Sequence, residues 1–140
     1  MSDRTADGGL LDAARAAKER AYAPYSEFRV GAALESTDGR IFTGCNVENA
    51  SYPVGLCAER VALGTAVASG AQRFGHLAIA SDAATPTPPC GMCRQALSEF
   101  GMALEIVSTS RDGVCVSWRL EDLLPAHFEL QDRGGEGADG

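Results

Sequence analysis

Three cysteines and one glutamate have the types and spacing that metal-assisted hydrolysis requires. Cys57-Ala58-Glu59-Arg60 and Pro89-Cys90-Gly91-Met92-Cys93 each stand where a helix is expected to begin. Cys90 and Cys93 are three positions apart, so on a first helical turn their sulfurs share one face. Cys57 can add a third thiolate from the neighbouring helix. Three thiolates around Zn2+ leave a fourth tetrahedral position for water, which is the pattern of catalytic rather than closed structural sites. His76 and His127 lie outside both segments, and no fourth protein ligand is obvious.

Glu59 follows Cys57 by two positions. In a regular helix the two would diverge, but with Cys57 at the cap or first position both can approach the metal. Zinc lowers the pKa of its water towards roughly 7. A carboxylate alongside can take that proton and carry it to a ring nitrogen and then to a leaving amine. That is the chemistry of hydrolytic deamination. Zinc with three thiolates carries a net negative charge, so compensation is needed. Two helix N-termini, each like about half a positive charge, would supply part of it. Arg60 and Arg94, as hydrogen-bond partners of the sulfurs, would supply the rest. A lone Cys-x-x-Cys also suits a thioredoxin-like redox pair. Such pairs usually follow the first strand of their fold, whereas this one follows the third expected strand, and a redox role leaves Cys-Ala-Glu unexplained. Cys45 and Cys115 fall on expected strands and read as small buried hydrophobes.

The elements that must position these groups follow from periodicity and turn residues. Leu10 to Tyr22 has helical spacing and is ended by Ala23-Pro24-Tyr25. Phe28 to Glu35 and Arg40 to Val47 read as a hairpin around Thr37-Asp38-Gly39. Leu56 to Ser69 is an apolar helix stopped by Gly70, and Phe74 to Ser81 is a strand. Thr85 to Pro89, with three prolines, must be loop. Gly91 to Phe100 is a helix closed by Gly101. Leu104 to Ser108 and Gly113 to Trp118 are the last strands, and Leu120 to Leu124 a short final helix. This order predicts an α/β fold: a three-layer α/β/α domain with a mixed sheet of about five strands. The strand between the two central helices is expected to run parallel to its neighbours. One domain over 1–130 is expected, with residues 1–9 and 131–140 too polar and glycine-rich to order.

The formal charge is −7, from 12 basic and 19 acidic residues, with Lys18 the only lysine. A nucleic-acid-binding face needs clustered cations, so nucleic acid is a poor partner and a neutral small molecule a better one. Neither an apolar run of membrane-spanning length nor a signal-type stretch stands in the sequence, so no membrane association and a cytoplasmic location are expected. Five cysteines, an odd count, speak against a disulfide framework.

Paired with Pro-Cys-x-x-Cys, the Cys-x-Glu segment is the all-cysteine variant of the zinc deaminase signature. Further stretches extend the match: Ala21-Tyr-Ala-Pro-Tyr-Ser-Glu-Phe28, Val30-Gly-Ala-Ala-Leu34, Gly44-Cys-Asn-Val-Glu-Asn-Ala-Ser-Tyr-Pro53 and Leu123-Leu-Pro-Ala-His-Phe128. Over nearly the whole expected domain the chain resembles the small cytidine deaminases of pyrimidine salvage. The resemblance implies one Zn2+ per chain held by Cys57, Cys90 and Cys93, with Glu59 as proton shuttle. It further implies that Asn46 and Glu48 bind the ribose hydroxyls, Phe28 stacks on the pyrimidine, and the Ala58 N–H touches the base carbonyl. Tyr52 and Phe128 would complete pockets of neighbouring subunits in a homotetramer, and the products would be uridine or deoxyuridine and ammonia. Tyr22, Tyr25 and Trp118 are left as packing residues. Two departures stand out. Pro88 replaces a usual Ser or Thr while keeping the carbonyl expected to accept from the substrate amine, and Arg29 occupies a place where a smaller residue is common. Rival readings are a deaminase of another cytosine nucleoside, such as a nucleoside antibiotic, and a non-catalytic zinc or redox module.

Overall fold

Strand alternation sorts the side chains of this chain into two cores, one on each face of a sheet. A computed structural model describes residues 6–130. A wide π-type turn, Ala6–Leu10, runs into helix α1 (Leu11–Lys18), and strands β1 (Val30–Ser36) and β2 (Ile41–Cys45) follow. After a 3-10 turn at Tyr52–Val54 come helix α2 (Ala58–Ala68), strand β3 (Phe74–Ser81) and helix α3 (Gly91–Ser98). Strands β4 (Glu105–Thr109) and β5 (Cys115–Arg119) and helix α4 (Leu120–Leu123) complete the order. The strands form one sheet, β2-β1-β3-β4-β5. Ala32, Leu34, Leu77, Ile79 and Ile106 face one side, buried with Ala62, Leu63 and Ala66 of α2, Leu97 of α3 and Leu120 of α4. Ala33, Ala78, Ala80 and Val107 face the other side against Leu10, Leu11 and Ala14. This is the three-layer α/β/α arrangement with a mixed sheet that the sequence implied.

Two glycines set how closely the helix layers approach. A Cβ on Gly31 would stand 2.1 Å from the Ala14 carbonyl oxygen of α1. One on Gly44 of β2 would stand 2.4 Å from the Ala62 nitrogen and 2.6 Å from the Ala58 oxygen of α2. Backbones this close admit no side chain between them. Gly44 thereby fixes the height of the N-terminal half of α2, the part that carries Glu59.

The expected parallel strand is parallel on one side only. β3 pairs parallel with β4 and antiparallel with β1. The α2 crossover does join parallel strands, β2 and β3, but β1 has inserted between them and runs against both. Tertiary pairing also trims the expected ends. The first helix stops at Lys18 because the Tyr22 backbone is recruited to Val47: the Tyr22 N–H donates to Asn46 O (2.9 Å) and the Glu48 N–H to Tyr22 O (2.8 Å). The second helix starts at Ala58 because Leu56 pairs with Val47 instead. Residues 6–9, expected to be disordered, lead into α1 as the π-type turn. Residues 1–5 and 131–140, the rest of the expected disordered ends, lie outside the described residues.

Both cysteines assigned to the core are corrected. Cys115 is exposed and Cys45 only half-buried, because each lies on a strand at an edge of the sheet. Tyr22 and Tyr25 are likewise exposed, whereas Trp118 packs on the main core as expected.

Candidate active site

The site lies beyond the carboxyl ends of the parallel pair β3 and β4, where α2 and α3 begin. Cys57 is the N-cap of α2, with extended backbone (φ −77°, ψ 152°). Cys90 is the N-cap of α3 (φ −69°, ψ 170°), and Cys93 sits one turn inside it. The cap position resolves the direction problem for Glu59. The chain turns into helix between Cys57 and Ala58, so a cap sulfur and the second helical side chain can face one cavity. The Cys57 and Cys90 sulfurs are 3.7 Å apart, and all three sulfurs lie within 4.8 Å of one another. With zinc–sulfur bonds of about 2.3 Å, tetrahedral geometry requires sulfurs about 3.8 Å apart. The donor set therefore fits zinc in element and in spacing.

Electrostatics agree with geometry. Hydrogen bonding from the Cys93 thiol, with help from Cys90 and Arg60, holds the Cys57 thiol down to about 5. The same bond and burial push Cys93 up, so this pair sheds its first proton readily and keeps its second. Arg60 stands against the Cys57 and Cys93 sulfurs, and its Nη2 reaches the Gly55 carbonyl at 3.4 Å. Its Nε is buried without a hydrogen-bond partner among the described residues. Arg94 acts elsewhere than expected: its Nε donates to Pro89 O and its Nη1 to Leu123 O, both at 2.8 Å. It braces the backbone just ahead of Cys90 rather than a sulfur. Glu59 is 5 % exposed, and burial pushes its carboxyl up to about 7. A carboxyl in that range can both take and give a proton near neutrality.

These groups open onto a cavity of about 650 Å³, within the usual range for small-molecule sites. Phe28, Asn46, Glu48, Tyr52, Cys57, Ala58, Glu59, Arg60 and Cys90 all line it, as does Pro88. Cys93 lies beneath, fully buried. Phe128 does not join this pocket and is 70 % exposed, held by Gln95, whose Nε2 donates to Phe128 O at 3.0 Å. Ala58 is the first residue of α2, so its N–H has no partner within the helix.

Asn46 and Glu48 also build the wall. Asn46 accepts the Val30 N–H and donates to Phe28 O, both at 2.9 Å, and β1 starts there, two residues later than periodicity suggested. Glu48 accepts the Tyr25 and Ser26 N–H groups at 2.9 and 3.1 Å and the Ser26 hydroxyl, which lowers its pKa. Ser26 in turn accepts the Phe28 N–H at 3.0 Å. Tyr25, Ser26 and Thr87 line the cavity unforeseen, because their signal is contact between distant segments rather than spacing. Arg29 now has a role. Its Nε donates to Asp82 at 3.0 Å and its Nη1 to Glu19 at 2.9 Å, and Lys18 reaches the same Asp82 at 2.9 Å. The charge cluster ties the start of β1 to the end of β3.

Residues 4–109 match the family model described as the cytidine and deoxycytidylate deaminase zinc-binding region. A cytidine deaminase of Sporosarcina psychrophila is 41 % identical over 124 residues, covering 88 % of this chain and 91 % of that one. One from Mycobacterium tuberculosis is 44 % identical over 112 residues, covering 80 % and 81 %. The crystal structure of cytidine deaminase from Burkholderia pseudomallei superimposes with a TM-score of 0.83 at 49 % identity, covering 86 % of this chain and 97 % of that one.

Proposed function

From the premise that this chain belongs to the zinc-dependent cytidine deaminase family, we propose that it hydrolyses cytidine and deoxycytidine to uridine and deoxyuridine, releasing ammonia. The carrying observation is the trio of sulfurs at two helix starts with a buried glutamic acid beside them; Cys57, Cys90 and Glu59 open on one cavity of about 650 Å³, and Cys93 lies beneath it. One Zn2+ held by Cys57, Cys90 and Cys93 would supply Lewis acidity at that point. The remaining work belongs to the chain. Glu59 takes a proton from the attacking water, passes it to the ring nitrogen next to the amino carbon, and takes the second proton to the departing amine. The water oxygen ends on the ring carbon and the nitrogen leaves as ammonia. The free Ala58 N–H donates to the base carbonyl, and the Pro88 carbonyl accepts from the amine. Phe28 offers its face to the pyrimidine. Asn46 keeps one N–H, and Glu48 its remaining lone pairs, for the ribose hydroxyls.

The same reading makes residues 1–130 one catalytic domain working in the cytoplasm on free nucleosides, in pyrimidine salvage. Among the described residues no helix is long and apolar enough to cross a membrane. A homotetramer with shared sites would cover Tyr52 and Phe128, which are 76 % and 70 % exposed on the single chain. The experiment is an absorbance assay on cytidine, deoxycytidine and a cytosine antibiotic, with parent protein and Glu59→Gln. Expected are turnover of the two plain nucleosides and its near-complete loss in the variant with about one zinc still bound. A variant as active as the parent removes the proton-shuttle role, and turnover of the antibiotic alone redirects the substrate.

A further inference from the structure

The segment joining β3 to α3 carries Pro88 to the cavity and delivers Cys90, yet it can do little to hold itself. Prolines at 86, 88 and 89 have no N–H to donate. Backbone bonds at Asp82 and Ala83 hold its start and Arg94 holds Pro89 O; between them the fastening comes from two serines under the segment. Ser81 and Ser108 are 1 % and 0 % exposed. The Ser108 hydroxyl donates to the Thr87 carbonyl at 2.8 Å. The Ser81 hydroxyl pairs with the Thr87 hydroxyl at 2.9 Å and accepts the Ala83 N–H at 3.2 Å. Both serines stand at the carboxyl ends of adjacent strands, β3 and β4. A hydroxyl with no exposure is tolerated only when paired, so these bonds are structural commitments. Between Thr87 and Cys90 come only Pro88 and Pro89, whose φ angles are locked by their rings. Fixing Thr87 therefore narrows where the chain presents the Cys90 sulfur, with Arg94 holding Pro89 O in between.

We propose that Ser81 and Ser108 are positioning residues for the metal site, acting through Thr87 to aim Cys90 at Cys57 and Cys93. The inference rests on the function proposed above. It is tested in the full-length protein with Ser108→Ala, Thr87→Val and the conservative Thr87→Ser. Three readouts are taken: the rate of zinc loss to a chromogenic chelator, the visible spectrum of the cobalt-substituted protein, and kcat and KM for cytidine. Partners that orient a ligand are worth about 10–100-fold in metal affinity, so zinc loss is expected to quicken about tenfold in Ser108→Ala and Thr87→Val. Their cobalt bands should shift, and Thr87→Ser should behave like the parent. Unchanged zinc loss and cobalt spectra in both disruptive variants overturn the proposal, as does failure of Thr87→Ser to restore them. A parent that binds no zinc or leaves cytidine intact overturns the proposed function itself, and this inference falls with it.

Discussion

Gly44→Ala tests how the sheet holds the catalytic helix. The new Cβ would lie 2.4 Å from the Ala62 nitrogen and 2.6 Å from the Ala58 oxygen, where ordinary contact begins at 3.4 Å. Both obstacles are helix backbone, so no side-chain rotation relieves them and α2 must retreat by about 1 Å, at an overpacking cost of roughly 1–3 kcal/mol. That retreat carries Cys57, Ala58 and Glu59 away from Cys90 and Cys93, which sit on a different helix. A displacement of about 1 Å at reacting groups costs on the order of 100-fold in rate. Denaturant unfolding should register the first effect, and cytidine turnover at saturating substrate the second. Gly64, in the same helix, has nothing within 4 Å of its added Cβ. Gly64→Ala should therefore stabilise by about 0.5–1 kcal/mol with turnover intact. If Gly44→Ala unfolds within about 0.5 kcal/mol of the parent and turns over at full rate, the steric reasoning is wrong.

Three further outcomes are expected. Arg60→Gln should release zinc to a chelator about 10–100-fold faster, since Arg60 stands against two sulfurs; release at the parent rate would count against that role. Hydrogen bonds from Arg29 and Lys18 hold the Asp82 carboxyl well below its ordinary value of about 3.9. A depressed folded pKa adds stability that is complete above the unfolded value and lost as pH falls below about 4. Asp82→Asn should thus be less stable at pH 7, with the gap to the parent closing on acidification in urea titrations; a constant gap refutes the linkage. Ser26→Ala removes the hydroxyl shared by Glu48 and the Phe28 N–H. A several-fold rise in KM for cytidine with kcat nearly constant is expected, restored by Ser26→Thr, and an unmoved KM would leave Ser26 without a role in binding.

Local signals carried the element order, the glycine stops and the two helix starts that hold the sulfurs. Cys90 holds the N-cap position just ahead of the helix that periodicity starts at Gly91, whereas Cys57 holds the N-cap position of a helix that periodicity starts at Leu56. What stayed hidden depends on strand order and on distant partners. Nothing local says that β1 slips between β2 and β3, and hence that β3 has one antiparallel neighbour. Arg29 stood only as a departure from the usual smaller residue because its partner Asp82 is 53 positions away. Cys115 looked internal because alternation identifies a strand without saying that it will lie at the sheet edge. Arg94 was placed by sequence proximity to the sulfurs, but its fork had better acceptors in two backbone carbonyls.

The two cores have a consequence for assembly. Sulfurs 33 positions apart meet only after a helix and a strand have docked between them, so no nascent fragment ending before residue 90 can gather the trio. Leucine, isoleucine and alanine already fill both faces of the sheet. Unlike miniature fingers that collapse only around their ion, this scaffold loads its metal late, and stripping the ion should leave an intact, refillable apoprotein.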